Sequence, residues 1–227
     1  MLNPKHILVA SMPKAAGTFL LQSMTKRSKL PLVTLLPAFD RREMELSGTK
    51  AVLNYPRSYV TGSHLCYSKG TERLIRYHRL KPIILYRNLF DCAMSLRDHI
   101  RKESFVFSMA YFDETFQQMD DAELELAISE LVMPWYVKFY LTWQESNQTA
   151  LWLSYEEVTQ QTVTTFGKIE EFTGVNFGNT ADINLQNVRY NVGRSGRGDE
   201  MCSKAKDAIF RLGRHYSNHD LAAIGLN

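Results

Sequence analysis

The chain has few cysteines, no long apolar run and little net charge. Its three cysteines, Cys66, Cys92 and Cys202, lack Cys-x-x-Cys spacing and predict neither a disulfide framework nor a zinc site. No stretch approaches the roughly 18 uninterrupted apolar residues of a membrane-spanning helix. A formal charge of +3 is too small to indicate a general nucleic-acid-binding surface. We therefore expect a soluble, cytoplasmic protein with no zinc site and with neither membrane nor nucleic acid as a partner.

The chain also lacks linkers and internal repeats. No Pro/Gly/Ser-rich stretch divides the 227 residues, of which 44% are hydrophobic. This length and composition suffice for one substantial core. The sequence predicts a single domain over residues 1–227 and leaves the oligomeric state, including a homodimer, open.

Short apolar runs alternate with segments of helical spacing. The predicted strands cover residues 7–10, 59–65, 82–86 and 150–154, and the predicted helices cover residues 18–26, 89–100, 155–172 and the whole of 104–143. Such alternation implies right-handed crossovers between parallel strands. The predicted fold class is α/β, a single domain with a central parallel sheet flanked by helices.

Polar side chains lie at the ends of the predicted strands or shortly after them. They are Lys14, His64, Arg87 and Tyr155. Ligands of open parallel sheets bind beyond the carboxyl ends of the strands. We therefore expect these four side chains to serve a ligand.

Lys14 lies in a turn from strand to helix, within the segment Pro13-Lys14-Ala15-Ala16-Gly17-Thr18. Such a turn exposes backbone N–H groups and the positive end of the helix dipole, so it attracts an anion. Gly17 is expected to let the backbone approach that anion closely. The ATP-binding P-loop has the order Gly-x-x-x-x-Gly-Lys-[Ser/Thr], whereas here the lysine precedes the glycine, so that motif is absent.

The order Pro-Lys-x-x-Gly-Thr after a strand resembles the phosphosulfate-binding loop of sulfotransferases that use 3′-phosphoadenosine 5′-phosphosulfate (PAPS). The segment Arg87-Asn88-Leu89-Phe90-Asp91-Cys92-Ala93-Met94-Ser95 resembles the family's 3′-phosphate motif, Arg-Asn-Pro-x-Asp-x-x-x-Ser, with leucine in place of proline. Arg87 offers a planar fork to a phosphate, and Ser95 offers a hydroxyl. The alternative is that Arg87 pairs with Asp91 and that Ser95 is an ordinary helix-face residue. Two anion sites suit a donor phosphorylated at both ends, as PAPS is and ATP is not.

The segment Gly62-Ser63-His64-Leu65 resembles the Lys-Thr-His-Leu segment that carries the family's catalytic histidine. A histidine with an ordinary pKa of about 6.5 accepts a proton from an acceptor hydroxyl or amine at neutral pH. Gly62 stands where the family has lysine. One cation near the transferring group is therefore missing, and we expect turnover or acceptor choice to differ.

Two further similarities concern the adenine and the 3′-phosphate. Tyr155, in Leu-Ser-Tyr-Glu-Glu, matches a family tyrosine near the adenine, and Phe19 matches a stacking aromatic; both positions fit a plain core residue nearly as well. The segment from Gly193 through Asp199 resembles the family's Arg-Lys-Gly-x-x-Gly-Asp loop over the 3′-phosphate. Its shifted basic residues leave Arg194 and Arg197 as alternatives.

The resemblance runs from about residue 6 to residue 200 and implies a P-loop-NTPase-like sulfotransferase fold. It implies transfer of a sulfuryl group from PAPS to a hydroxyl or amine of a small-molecule acceptor, leaving 3′,5′-bisphosphoadenosine (PAP), without a metal. Lys14 would stabilise the leaving phosphate, and His64 would activate the acceptor. The implied donor-binding residues are Lys14, Ala15, Ala16, Gly17, Thr18, Phe19, Arg87, Ser95, Tyr155, Arg194, Ser195, Gly196 and Arg197.

Two other functions remain open. A P-loop kinase-like phosphotransferase would need ATP and Mg²⁺. A noncatalytic nucleotide-binding protein would bind PAP without transfer. The aromatic stretch 105–112 fits an acceptor pocket or the core equally, and the acidic residues within 113–121 fit a solvated face better than a site for a cationic acceptor. His215 and His219, on a predicted helix, have no nearby third ligand and are not expected to bind metal.

Overall fold

We describe a computed structural model of the chain over residues 4–38, 41–180 and 194–226. These residues form two compact units. Unit 1 comprises residues 4–38, 44–86 and 145–180, and unit 2 comprises residues 41–43, 87–144 and 194–226. The single domain over residues 1–227 stays a prediction.

Unit 1 contains a parallel sheet, as predicted. Its four strands are β1 (His6–Ser11), β2 (Tyr59–Ser63), β3 (Leu80–Tyr86) and β4 (Leu151–Ser154), in the order β2-β1-β3-β4. β1 is buried along its whole length. It lies between β2 and β3, and its side chains are shielded from solvent on both faces of the sheet. The predicted α/β class is confirmed.

Ten α-helices accompany these strands in the described residues. They are α1 (Gly17–Ser28), α2 (Gly48–Asn54), α3 (Lys69–His78), α4 (Leu89–Lys102), α5 (Glu114–Gln118), α6 (Asp121–Leu131), α7 (Met133–Gln144), α8 (Tyr155–Gln160), α9 (Thr162–Thr173) and α10 (Ser203–Arg214). Helices α4 to α7 and α10 belong to unit 2, and the others belong to unit 1.

The first two strands of unit 1 end side by side. Ala10 of β1 lies opposite Ser63 of β2, and Ser11 lies opposite Leu85 of β3. Helix α1 then packs against β1 and β2, burying Leu20 and Met24. The residues that follow β1 and β2 therefore leave the sheet at one edge.

Helix α4 is the central helix of unit 2. It contacts α5, α6, α7 and α10, and nine of its 14 residues are buried. The side-chain oxygen of Asn88 accepts hydrogen bonds from the backbone N–H groups of Phe90 and Asp91. This cap fixes the start of α4, although leucine stands where the family has proline. Leu89 itself is fully buried and holds the first turn of the helix in place.

The prediction of continuous helix over residues 104–143 is wrong for residues 104–113, which are not helical. The ring of Phe112 packs against the rings of Phe107 and Phe116, with centroid distances of 5.2 and 4.0 Å. Phe112 therefore belongs to a cluster of aromatic rings and not to the apolar face of a helix. Asp113 then caps α5 by accepting from the Thr115 N–H. Phe112 is thus core, whereas Tyr111 is 71% exposed.

The predicted helix over residues 155–172 is divided at Gln161, where φ is −121° and ψ is 39°. The Thr165 hydroxyl donates to the Glu157 carbonyl across this break, so α9 restarts against α8. His215 and His219 lie beyond the end of α10 in exposed turns and not on a helix. Within residues 4–38, 41–180 and 194–226, no helix is long and apolar enough to cross a membrane.

Candidate active site

The turn from β1 into α1 has an unusual backbone. Lys14 and Ala16 have φ values of 66° and 65°, in the left-handed region that residues with a Cβ rarely adopt. Each such residue costs about 1–3 kcal/mol and persists only where the surrounding structure enforces the conformation. Alternating backbone handedness turns successive N–H groups into an anion-binding concavity. The backbone around Lys14 therefore has the form that an anion-binding turn requires.

Among the described residues, no side chain caps the N-terminus of α1. Ala16 is the cap residue and makes no side-chain hydrogen bond to the first turn, and Thr18 is exposed. The first N–H groups of an α-helix have no partner within the helix. These donors, together with the positive helix end, favour an anion at the turn.

Gly17 serves a contact inside the protein. A Cβ at Gly17 would lie 2.7 Å from the Ser11 hydroxyl oxygen, which is too close. The sequence argument assigned this glycine to close approach of a ligand. In the structure its missing side chain also makes room for Ser11, which is only 3% exposed.

His64 follows β2 directly and lies against the end of β1. Its Nδ1 is 2.8 Å from the Ser11 carbonyl oxygen and 3.2 Å from the Ser11 hydroxyl oxygen. Burial lowers the pKa of His64 below its ordinary 6.5, the Ser11 carbonyl acts in the opposite direction, and the charge of Lys14 lowers the pKa further. His64 is therefore a neutral imidazole at neutral pH, as a proton acceptor must be.

The space beside Gly62 is taken by a leucine. A Cβ at Gly62 would overlap Cδ1 of Leu21, which α1 carries. A lysine here would therefore have to displace that side chain. Gly62 and Leu21 form a matched pair, which explains in packing terms why this strand position lacks the family's cation.

Tyr155 and Phe19 are both largely buried. Tyr155 is the first residue of α8 and is 5% exposed, and Phe19 in α1 is 4% exposed. Ser154 caps α8 in a reciprocal arrangement with Glu157, which fixes the position of Tyr155 after β4. Since β3 separates β4 from β1 in the sheet, Tyr155 begins two strands away from the turn with Lys14. Their role near an adenine stays a prediction.

In unit 2, Arg87 is held by the glycine-containing segment 194–199. Its side chain is 1% exposed, and Nη2 donates to the Arg194 carbonyl at 3.0 Å. The same nitrogen lies 3.7 Å from Oδ2 of Asp91. Arg87 thus has a fixed position before any ligand is bound.

Asp91 joins α4 to the same segment. Its Oδ2 accepts from the Gly196 N–H at 3.0 Å, and its Oδ1 accepts from the Gly198 N–H at 2.8 Å. Close packing accompanies these bonds, because a Cβ at Gly198 would overlap Cβ of Phe90. Sequence reasoning gave Asp91 as a member of a motif or as an ion-pair partner of Arg87, and it missed the bonds to Gly196 and Gly198.

Replacing Asp91 with asparagine is expected to lower the free energy of unfolding by about 1–3 kcal/mol. Asparagine keeps one acceptor oxygen, but its amide nitrogen would face a backbone N–H of Gly196 or Gly198. Urea denaturation measures the effect. Asp207→Asn, at an exposed position of α10, is the matched control. Equal stability of Asp91→Asn and the control would contradict the role of Asp91.

The two candidate arginines have different partners. Arg197 donates to Asp98 Oδ2 at 2.7 Å, and its side chain is 15% exposed. Arg194 pairs with Glu200, and its side chain is 69% exposed. An exposed ion pair is worth about 0–1 kcal/mol, so Arg194 is the easier of the two to redirect toward a ligand.

The predicted site residues form two described groups. In unit 1 the structure brings the Lys14 turn and His64 together; in unit 2 it brings Arg87 together with residues 194–198. Ser95 lies on α4, 6% exposed and one turn after Asp91. Gly193 lies outside the described residues. In the part of the chain that the structure describes, no group of three or more His, Cys, Asp or Glu side chains is placed to hold a metal ion.

Comparison with known families places residues 4–206 in a single match, described as a sulfotransferase domain. The chain belongs to the sulfotransferase domain family. This match supports sulfuryl transfer as the activity of the enzyme and covers both groups of predicted site residues. A search of curated proteins found no match to this sulfotransferase.

Among solved structures, this sulfotransferase resembles mouse sulfotransferase SULT7A1 complexed with PAP. The identity is 17%, the TM-score is 0.67, and the match covers 98% of this chain and 87% of that chain. The sulfotransferase domain from the curacin biosynthetic pathway is 14% identical, with a TM-score of 0.49 and coverage of 89% and 82%. The first likeness confirms the predicted sulfotransferase fold.

Proposed function

We propose that this enzyme transfers a sulfuryl group from PAPS to a hydroxyl or amine of a small-molecule acceptor. The observation that carries the proposal is the contact of His64 with Ser11, the last residue of β1 before the turn that contains Lys14. A neutral proton acceptor and a cationic, anion-binding turn thus lie beside each other. In-line sulfuryl transfer requires these two functions, because it depends on positioning and charge stabilisation.

The proposed roles follow from the charges. The acceptor oxygen or nitrogen attacks sulfur, the bond from sulfur to the 5′-phosphate oxygen breaks, and PAP leaves with the bonding electrons. Lys14 stabilises the negative charge that develops on the leaving phosphate, and the backbone N–H groups from Ala16 to Phe19 hold that phosphate. The Ala15 N–H, which the sequence also assigned to the phosphate, donates to the Met12 carbonyl at 3.3 Å and shapes the turn instead. His64 takes the proton released by the acceptor. No step in this scheme uses a metal.

The 3′-phosphate is assigned to unit 2. Arg87 supplies a bidentate cation, Ser95 supplies a hydroxyl, and Arg194 supplies a second cation. We choose Arg194 over Arg197 because Arg197 is already bound to Asp98 in a largely buried pair. Ser195 contributes to the same phosphate, whereas the Gly196 N–H already donates to Asp91 and only places the segment beside Arg87. Tyr155 is assigned to the adenine.

Calorimetry tests the donor. Binding of PAP, AMP and ATP is measured with EDTA and again with Mg²⁺, because a kinase-like enzyme would need the metal to bind ATP, and an acceptor screen with PAPS follows. We expect a strong preference for PAP, since only PAP offers phosphates to both groups of residues. Preference for ATP would favour a kinase-like phosphotransferase. Tight binding of PAP without transfer to any acceptor would favour a noncatalytic nucleotide-binding protein.

Replacing Arg87 with alanine is expected to weaken PAP binding by roughly 10- to 100-fold, because hydrogen bonds to charged groups are worth about 1.5–3 kcal/mol. AMP, which lacks the 3′-phosphate, should bind as before. Arg87→Lys keeps the charge of this buried site and separates loss of the fork from loss of folding. Arg73→Ala, on the exposed surface of α3, is the control. Equal weakening of PAP and AMP would refute the assignment.

The acid limb of kcat/KM is expected to lie below pH 6.5. Neutral His64 is the active form, and its fraction rises with pH through its pKa, which burial and Lys14 hold below 6.5. Activity at pH 6.5 should therefore exceed half of its plateau. His64→Gln should remove this limb from any residual activity. A limb at or above pH 6.5 in the wild-type enzyme would contradict His64 as the base.

A further inference from the structure

The peptide group between Ser11 and Met12 is held from both sides. The Met12 N–H donates to the Leu85 carbonyl at 2.9 Å, toward β3. The Ser11 carbonyl, which points the opposite way in a trans peptide, faces Nδ1 of His64 at 2.8 Å. The strand register explains this arrangement, because Ser11 pairs with Leu85 and the preceding Ala10 pairs with Ser63. The orientation of the carbonyl is therefore fixed by the sheet.

A carbonyl oxygen only accepts hydrogen bonds. A neutral imidazole carries one N–H, and the nitrogen facing the carbonyl must be the one that donates. The proton of neutral His64 is therefore on Nδ1, and Nε2 carries the free lone pair. The Ser11 hydroxyl oxygen, 3.2 Å from the same nitrogen, offers Nδ1–H a second acceptor.

The position of the Ser11 side chain depends on a residue of α1. A Cβ at Gly17 would lie 2.7 Å from the Ser11 hydroxyl oxygen and 3.2 Å from its Cβ. The Ser11 side chain is buried and has little room to move elsewhere. An alanine at position 17 would therefore press Ser11 against the imidazole of His64.

We infer that Ser11 is a positioning residue, whose carbonyl holds His64 in the Nδ1–H tautomer so that Nε2 takes the acceptor's proton, and that Gly17 preserves the space this arrangement needs. The inference rests on the proposed function of His64 as the base. It links the phosphate-binding turn to the base through one residue, because the strand that ends at Ser11 leads directly into that turn.

The tautomer is measured directly by long-range proton–nitrogen NMR of the ligand-free protein, labelled with ¹⁵N-histidine, at pH 7.5. The spectrum of His64→Gln assigns the His64 signals. We expect a protonated Nδ1 and an unprotonated Nε2. A protonated Nε2 would overturn the inference. The spectrum needs neither donor nor acceptor, so an enzyme with the expected tautomer and no transfer from PAPS would refute the proposed function alone.

Variants at Gly17 and Ser11 separate the contribution of the Ser11 side chain from that of the Ser11 carbonyl. Gly17→Ala is expected to shift the His64 ring signals, because it displaces the Ser11 side chain against the imidazole, and to lower kcat at least about tenfold, since general-base catalysis is commonly worth more. Nδ1 should stay protonated, because the sheet fixes the Ser11 carbonyl. Gly167→Ala is the matched control, because a Cβ at Gly167 meets nothing within 4 Å. Ser11→Ala, which keeps the carbonyl, should retain the tautomer. A switched tautomer in Ser11→Ala, or unchanged His64 ring signals in Gly17→Ala, would overturn the corresponding assignment.

Discussion

Replacing Lys14 with alanine is expected to lower kcat by about 100- to 1,000-fold, the usual cost of removing one preorganised group that stabilises charge in a transition state. The negative charge on the leaving phosphate grows only as the sulfur–oxygen bond breaks. A cation aimed at that charge therefore contributes more to the transition state than to the bound donor. The affinity for PAP should fall much less than kcat.

The backbone makes alanine the informative substitution. Lys14 has φ of 66°, and alanine keeps a Cβ there, so the local strain is unchanged and the charge alone is removed. Lys14→Gly would also relieve strain and should lose as much activity as Lys14→Ala, with higher stability. Steady-state kinetics with PAPS and thermal denaturation measure the two effects.

The chain contains a matched control for this experiment. Lys29, at the other end of α1, is also a lysine in the left-handed region, with φ of 58°, and it is exposed. Lys29→Ala makes the same chemical change on the same backbone conformation, away from the turn. Unchanged kcat in both variants would remove Lys14 from the mechanism; an equal loss in both would point to a general effect on α1.

The sequence predicted the local parts of the site because each is a continuous segment. A strand, a turn and a helix follow one another around Lys14, and Arg87 follows directly on β3. Short apolar runs bounded by polar turns identify such segments without knowledge of the rest of the chain. The parallel sheet was predicted for the same reason, although β1 ends one residue later and β2 two residues earlier than predicted.

The contacts between distant segments were not predicted. Asp91 binds Gly196 and Gly198, more than 100 residues later, and neither composition nor periodicity relates these positions. The fit of Leu21 against Gly62 likewise depends on how α1 packs on β2. A glycine in a sequence shows that a side chain is missing there, but only packing shows which neighbour needs the space.

The errors in helix prediction have a similar origin. The aromatic residues within 104–113 were attributed to a helix face because apolar spacing alone does not distinguish a helix from a packed irregular segment. Phe107 instead packs on Phe112, and the guanidinium of Arg41 lies over the rings of Phe105 and Tyr111. The break at Gln161 was missed because no glycine or proline marks it; a side-chain bond from Thr165 to the Glu157 carbonyl stabilises it.

Replacing His64 with alanine is expected to lower kcat by about 100- to 10,000-fold, the range that general acid–base catalysis contributes. The donor contacts assigned to the Lys14 turn and to Arg87 do not involve the imidazole. The affinity for PAP should therefore change little, and calorimetry beside steady-state kinetics measures the two quantities. Because alanine leaves a space of imidazole size, added imidazole should restore part of the activity.

The contrast between kcat and PAP affinity is what distinguishes a base from a binding residue. His215→Ala, beyond the end of α10 and exposed, is the control for loss of a histidine. A loss of PAP affinity as large as the loss of kcat would show that His64 binds the donor, and unchanged kcat would leave the acceptor without a base. Loss of kcat alone, rescued by imidazole, is the result that follows from a neutral imidazole held on the Ser11 carbonyl with Nε2 free to accept a proton.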